Sequence, residues 1–245
     1  WQSQPLTGET VADLKTFAQR KEIERCASRR LQTDFATLRQ LIEQADITEQ
    51  PKTQLLRRLN ELDNTMPKTF RVDEPAAFQT RLPLNDWHAQ LFQVQAQLWQ
   101  LKGIRAFSAF IASSPYDPLP YLTENPLPKV LQRRAEITLL RNEVRPIAIN
   151  IVNAREHPVT VQVRVEGLPK TVIVEPHYAV WTDTREGAPV AAALPEGVKF
   201  TVAAGMVGQA WLNIKPKKQV LKGEYEGRII LTTDIGDRVQ IPLRL

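Results

Sequence analysis

Apolar residues in the first half of this chain recur at steps of three and four, and in the second half they alternate every second position. The change falls near residue 130 and predicts helices before it and strands after it. Leu31, Phe35, Leu38, Ile42 and Ala45 step by four, three, four and three, the spacing that turns one stripe of a helix toward a partner. The run that contains them reads as helical from about Thr10, where Thr10 and Asp13 resemble a capping start, to about Ala45. Thr48 is placed to cap a second helix with Pro51 in its first turn. Leu55, Leu59, Leu62 and Met66 repeat the seam there. A third helix is expected from Asn85 or Asp86 to just before Gly103, a residue suited to a left-handed cap. Its seam is Trp87, Leu91, Val94, Leu98 and Leu101. Three seams joined by returning connections predict an antiparallel helical bundle over residues 1–112.

Beyond Gly103 the segment 104–111 reads as extended. Pro115, Pro118, Pro120, Pro126 and Pro128 then exclude a continuous helix and predict a semi-rigid strap over 113–129, pinned by Tyr116 and Tyr121. From residue 130 to 245 the alternation takes over: Ile147, Ile149 and Ile151; Val159, Val161, Val163 and Val165; Val239, Ile241, Leu243 and Leu245. Such runs set one face on a core and the other in water. Further strands are expected at 136–140, 171–175, 178–182, 198–203 and 207–214, and a hairpin at Asp234–Asp237. Short strands at this spacing predict an immunoglobulin-like antiparallel β-sandwich, and an α+β multidomain chain overall. Tyr225 is expected to pack its ring on the core and tie its hydroxyl to nearby backbone.

Composition adds bounds rather than a function. The chain has 245 residues, 42% hydrophobic and 24% charged, with a formal charge of +5. Each half is long enough to bury its own core without a metal or disulfide. No run approaches the ~20 apolar residues that span a bilayer. The chain opens on Trp1, which reads as a mature or excised form whose signal peptide has been removed. Its single cysteine, Cys26, rules out an internal disulfide and reads as a small packing residue. His88, His157 and His177 lack metal-ligand spacing, and no nucleophile elbow, phosphate loop or dinucleotide fingerprint is present. Asp183 with Glu186, or Asp234 with Asp237, offers paired carboxylates of a kind that any chain this long contains. These readings predict no catalytic residues, no metal and no cofactor.

Candidate contacts are of three kinds. Phe92 and Trp99 lie off the third seam and are candidate protein contacts. Tyr178, Trp181 and Trp211 are candidate sugar platforms; alternation groups Trp211 with Asn213, away from Leu212 and Ile214. Arg25, Arg29 and Arg30 are candidate anion contacts, although acids such as Glu22, Glu24 and Asp34 interrupt the stripe.

Glu136 to Asn153 reads EITLLRNEVRPIAINIVN, followed by Val202–Met206, Gln209–Leu212 and the Gly223–Gly227 segment GEYEG. With Ser113–Pro118 ahead of it, this resembles the N-terminal β-sandwich region of secreted bacterial glycoside-hydrolase-like proteins, in which a TIM-barrel domain follows. The resemblance covers about residues 104–245, and the barrel has no counterpart here. It implies an extracytoplasmic, periplasmic or secreted, non-catalytic module. The expectation is a structural or interaction module making protein contacts or self-associating. One alternative is a carbohydrate-associated accessory region; another is anionic-polymer or nucleic-acid binding through the first helix's arginines.

Overall fold

The structure is a computed structural model that describes residues 8–67, 70–75, 77–184 and 186–245. Helix α1 spans Gly8–Gln44, α2 Glu49–Thr65 and α3 Asp86–Leu101. Trp1 lies outside the described residues. Thr10 falls within α1, not ahead of it, and its side chain is outside what is described. Thr48 stands at the N-cap of α2 but makes no side-chain cap bond. Asn85 does cap α3, its Oδ1 accepting the His88 N–H at 2.9 Å. At the other end Gly103 adopts φ +76. Its N–H donates to the Gln100 carbonyl and the Ile104 N–H to that of Trp99, each at 2.9 Å. This pair of bonds is the Schellman closure that a glycine after a helix favours.

The predicted seams are buried through their middles, with Met66 and Trp87 partly buried and Leu101, the last residue of the third seam, exposed. Phe35, Leu38, Ile42 and Ala45 of α1 meet Leu55, Leu59 and Leu62 of α2 and Leu91, Val94 and Leu98 of α3 in one cluster. The three helices differ in length: α1 has 37 residues, α2 17 and α3 16. At 1.5 Å per residue α1 extends about 55 Å, roughly twice its partners. Among the described residues its first fully buried one is Ala27, residues 20–26 are partly covered, and Val11, Leu14 and Phe17 are exposed.

Among the described residues eleven strands follow: β1 Phe107–Ile111, β2 Ala135–Glu136, β3 Arg145–Asn153, β4 Val159–Glu166, β5 Val172–Tyr178, β6 Val180–Asp183, β7 Pro189–Ala193, β8 Lys199–Val202, β9 Met206–Pro216, β10 Glu226–Thr233 and β11 Arg238–Arg244. One sheet is ordered β1-β3-β9-β5, a second β2-β11-β10-β4-β8, and β6 pairs with β7. All pairings are antiparallel except that of β2 with β11. Ile147, Ile149 and Ile151 of β3 and Leu212 and Ile214 of β9 share one buried cluster with Val159, Val161 and Val163 of β4, Ile229 and Leu231 of β10 and Ile241 and Leu243 of β11. The faces that alternation marks as apolar are therefore the faces that bury.

Three segments depart from expectation. Phe107–Ile111, placed with the helical half, hydrogen-bonds along β3 from Phe107↔Asn153 to Ile111↔Ile149. The strand expected at 136–140 stops at Glu136; Ile137 still donates to the Arg244 carbonyl at 3.0 Å, and the chain then runs irregularly to the bend at Asn142, where φ is 62. Strand β7, rich in alanine, carries no β-branched pattern and was not expected. The proline strap is pinned as predicted, with Leu119 and Tyr121 packed on the helical cluster. Tyr116 is the exception, 79% exposed. Tyr225 packs against the β core and its hydroxyl donates to the Leu221 carbonyl at 2.7 Å.

Helix α3 is buried on two sides. One faces α1 and α2; the other sets Trp99 against Phe110, Val152 and Val207 and brings the backbones of Phe92 and Ala96 up to Gly205. Gly205, at φ +59, lies so close to the α3 backbone that a Cβ there would overlap the Phe92 carbonyl. Gln95 bridges the contact, its Nε2 donating to the Gly205 carbonyl at 2.7 Å and its Oε1 accepting the Thr123 N–H at 2.9 Å.

Candidate functional site

The densest polar chemistry is a buried network between the helices and the β half. Arg30 and Asp34 sit four apart on α1, so their side chains stack on one face. Arg30 Nη1 donates to Asp34 Oδ1 at 2.8 Å, its Nε to Asp183 Oδ1 at 3.3 Å, and its Nη2 to the Gly187 carbonyl. The other carboxylate oxygen of Asp34 accepts from His88 Nε2 at 2.9 Å and from the Tyr121 hydroxyl at 2.7 Å. Because the Leu84 N–H occupies His88 Nδ1 at 3.2 Å, the ring hydrogen belongs on Nε2, which donates to Asp34. Arg30, Asp34, His88 and Asp183 are all at least nine-tenths buried.

Electrostatics follow from that burial. Desolvation, reinforced by the adjacent Asp34 carboxylate, pushes the Tyr121 phenol well above its usual range. Burial alone would lower Arg30, but Asp34 and Asp183 more than offset it and hold the guanidinium charged. The network thus links α1, α3, the strap and the β6–β7 connection, with every charge met by an opposite charge or a hydrogen bond. It contains no activated nucleophile. Cys26, a turn away from Arg30, has its thiol pushed up by burial and then by Glu22, which argues against a reactive thiolate. Among the described residues no group of three or more His, Cys, Asp or Glu is placed to hold a metal ion.

A second contact lies at the end of the helices. Arg58 Nη1 donates to Glu156 at 2.9 Å and Gln97 Nε2 to its other oxygen at 3.0 Å. Burial would raise Glu156, but these donors hold it below the usual carboxylate range. A groove of about 730 Å³ lies elsewhere, between Ile137–Arg141 and Val220–Tyr225. Its walls mix apolar residues such as Ile137, Leu139 and Val220 with charged Glu136, Arg141, Glu224 and Arg244, and it holds none of the network residues.

The predicted site residues are scattered, and several are corrected. Phe92 and Trp99 are fully buried and are not exposed contacts. Phe92 packs on His88 and Tyr121, and Trp99 on Phe110, Val152 and Val207. Trp181 is buried against the helical cluster, its Nε1 donating to the Val207 carbonyl at 2.7 Å, so it offers no platform. Tyr178 is stacked on Phe200 at 5.1 Å with the rings 4° from parallel, which takes that ring face. Trp211 is half-buried on the outer face of β9, next to exposed Tyr116 at 5.8 Å between ring centres. Arg30 is internal and unavailable to an anion; exposed Arg25 is bound to Glu22 at 2.8 Å, and Arg29 is exposed. His177 lies in β5, not in a loop.

The network residues Asp34, His88, Tyr121 and Asp183 were each visible in the sequence but not as a group. The one local signal was the Arg30–Asp34 spacing beside the Leu31–Phe35 seam. The other partners come from 54 to 153 residues away.

No protein-family model matches the chain, and no curated protein does either. Solved structures that align in part include a family 123 glycoside hydrolase from Clostridium perfringens, studied for glycolipid glycan hydrolysis, with TM-score 0.45, 12% identity and coverage of 57% of this chain. This chain spans about a quarter, 27%, of that hydrolase. A FixG-related protein from Vibrio parahaemolyticus aligns at TM-score 0.33 and 11% identity, over 57% of this chain and 92% of that one. A chaperone–tip adhesion subunit complex from the archaic chaperone-usher pili of Acinetobacter baumannii aligns at TM-score 0.26 and 20% identity, over 45% and 46%. No helix among the described residues is long and apolar enough to cross a membrane.

Proposed function

We propose that this chain is a non-catalytic structural module that mediates protein contacts outside the cytoplasm. Its β half is read as an immunoglobulin-like sandwich and its helical half as an antiparallel three-helix bundle. One observation carries the reading. The Arg30–Asp34–His88–Tyr121–Asp183 network fastens α1 to α3, the strap and the β6–β7 connection, while Val11, Leu14 and Phe17 nearer its start stay uncovered. A helix clamped at one end and apolar at the other is suited to presenting a contact surface at a fixed angle.

The test is coupling between the halves. Chemical denaturation followed by far-ultraviolet circular dichroism and by tryptophan fluorescence should give one coincident transition. Two separated transitions, or turnover of any substrate by the purified chain, would overturn the reading.

A carbohydrate-associated role has one observation in its favour. Trp211 stays partly exposed on the outer face of β9, its Nε1 donating to Gln209 Oε1, with Gln209 hydrogen-bonded to Asn150 beside it at 2.8 Å. Retardation of the chain on a polysaccharide affinity gel, lost on Trp211→Ala, would support that role.

A further inference from the structure

The first turns of α1 form a surface built for another helix. Residues 11–19 are exposed throughout, with Val11, Leu14 and Phe17 at 51%, 53% and 57%. Counting back in sevens from Phe35 and Ile42 reaches Leu14, and from Leu31 and Leu38 reaches Phe17. Both therefore occupy the seam that is core further along the helix. The seam is interrupted at Lys21, Glu24 and Ser28, where the α2–α3 link crosses α1. There the Phe70 N–H donates to Ser28 Oγ at 3.1 Å, the Val72 N–H to Glu24 Oε1 at 3.3 Å, and Arg20 Nη2 to the Asp73 carbonyl at 2.9 Å. Past that crossing, among the described residues, no part of the chain covers Leu14 or Phe17.

We propose that this stretch pairs with the same stretch of a second copy of the chain, antiparallel, about a two-fold axis between Leu14 and Phe17. The proposal rests on reading the chain as an interaction module and names its partner. The charge pattern selects both the occupant and the direction. With Leu14 set against Phe17 of the second copy, the flanking position on one side pairs Val11 with Ala18. On the other side it pairs Asp13 with Arg20, and each contact occurs twice by symmetry. Among the described residues Asp13 has no hydrogen bond or ion pair in its own chain, while Arg20 holds the Asp73 carbonyl through Nη2 and lies in the field of Glu24, which leaves its remaining donors for the second copy. Parallel pairing would instead place Arg20 beside Arg25 of the second copy, a like-charge contact that opposes association.

The contact is short, so the dimer is weak, with a dissociation constant on the order of 100 µM, as small interfaces give. Sedimentation velocity of the full chain under reducing conditions should show concentration-dependent dimerisation. Phe17→Glu should abolish it with an unchanged circular dichroism spectrum. Asp13→Arg and Arg20→Asp should each weaken it by about fivefold or more, by replacing two attractive pairs with two repulsive ones. An equimolar mixture of those two variants should recover association, because the heterodimer restores both pairs. A wild type that stays monomeric at every concentration overturns the pairing, as does a mixture no tighter than its components. With a single coincident unfolding transition, that result would still leave the interaction-module reading standing. Separate unfolding of the halves would remove the reading itself.

Discussion

Asp34 on α1 and His88 on α3 share a 2.9 Å hydrogen bond with essentially no solvent on either side chain. Asp34 is also the main counter-charge to Arg30, at 2.8 Å. Asp34→Ala leaves that guanidinium with Asp183 as its one counter-charge, beside the Gly187 carbonyl, and takes the shared acceptor from His88 and Tyr121. It should destabilise the chain by ~3–5 kcal/mol, the usual cost of breaking a buried pair from one side. Arg30→Ala should behave alike, while Arg25→Ala, at an exposed position, should leave the urea midpoint unchanged.

Two glycines with positive φ should respond differently to alanine. At Gly103 nothing lies within 4 Å of the added methyl, so Gly103→Ala should cost only the ~1 kcal/mol of a left-handed conformation. At Gly205 the methyl meets the backbone of Phe92 and Ala96, which cannot move without shifting α3. Gly205→Ala should lose ~3 kcal/mol or more, read from the denaturation midpoint.

Tyr121 predicts an alkaline limit. Its phenol is raised in the folded chain, so folding favours the protonated form. That contribution is complete below the unfolded tyrosine value of about 10 and is lost as pH rises above it. Denaturation midpoints between about pH 9 and 11 should fall more steeply for the wild type than for Tyr121→Phe. Equal slopes would show that the phenol ionises as freely in the folded chain as in the unfolded one.

The two tryptophans once equivalent as platforms should separate. Trp181→Ala empties a buried site and orphans the Val207 carbonyl, and should cost ~3–5 kcal/mol. Trp211→Ala should have a small effect on the thermal midpoint, since its ring is only half-buried on the outer sheet face. A larger loss at Trp211 than at Trp181 would contradict the packing described above.

The three helices and the inward faces of β3, β4 and β11 were legible because periodicity records which side of an element meets a core. Leu38, Leu59, Leu91, Ile149 and Val161 all lie where their spacing placed them. Phe92 and Trp99 were misplaced for the same reason. A seam reports one stripe, and α3 buries a second against the β half. Strand β1 was attached to the wrong half because an extended segment does not say which sheet edge it joins.

By itself the sequence determined where the helices lie, where alternation begins, and that no continuous helix crosses the proline-rich segment between them, because these depend on residues a few positions apart. Only the tertiary structure decided which arginine is internal, which aromatic faces are covered, and that α1 outruns its partners. A charged residue on a helix flank looks the same in sequence whether water or Asp183 stands opposite it, and the difference is made by chain 153 residues away.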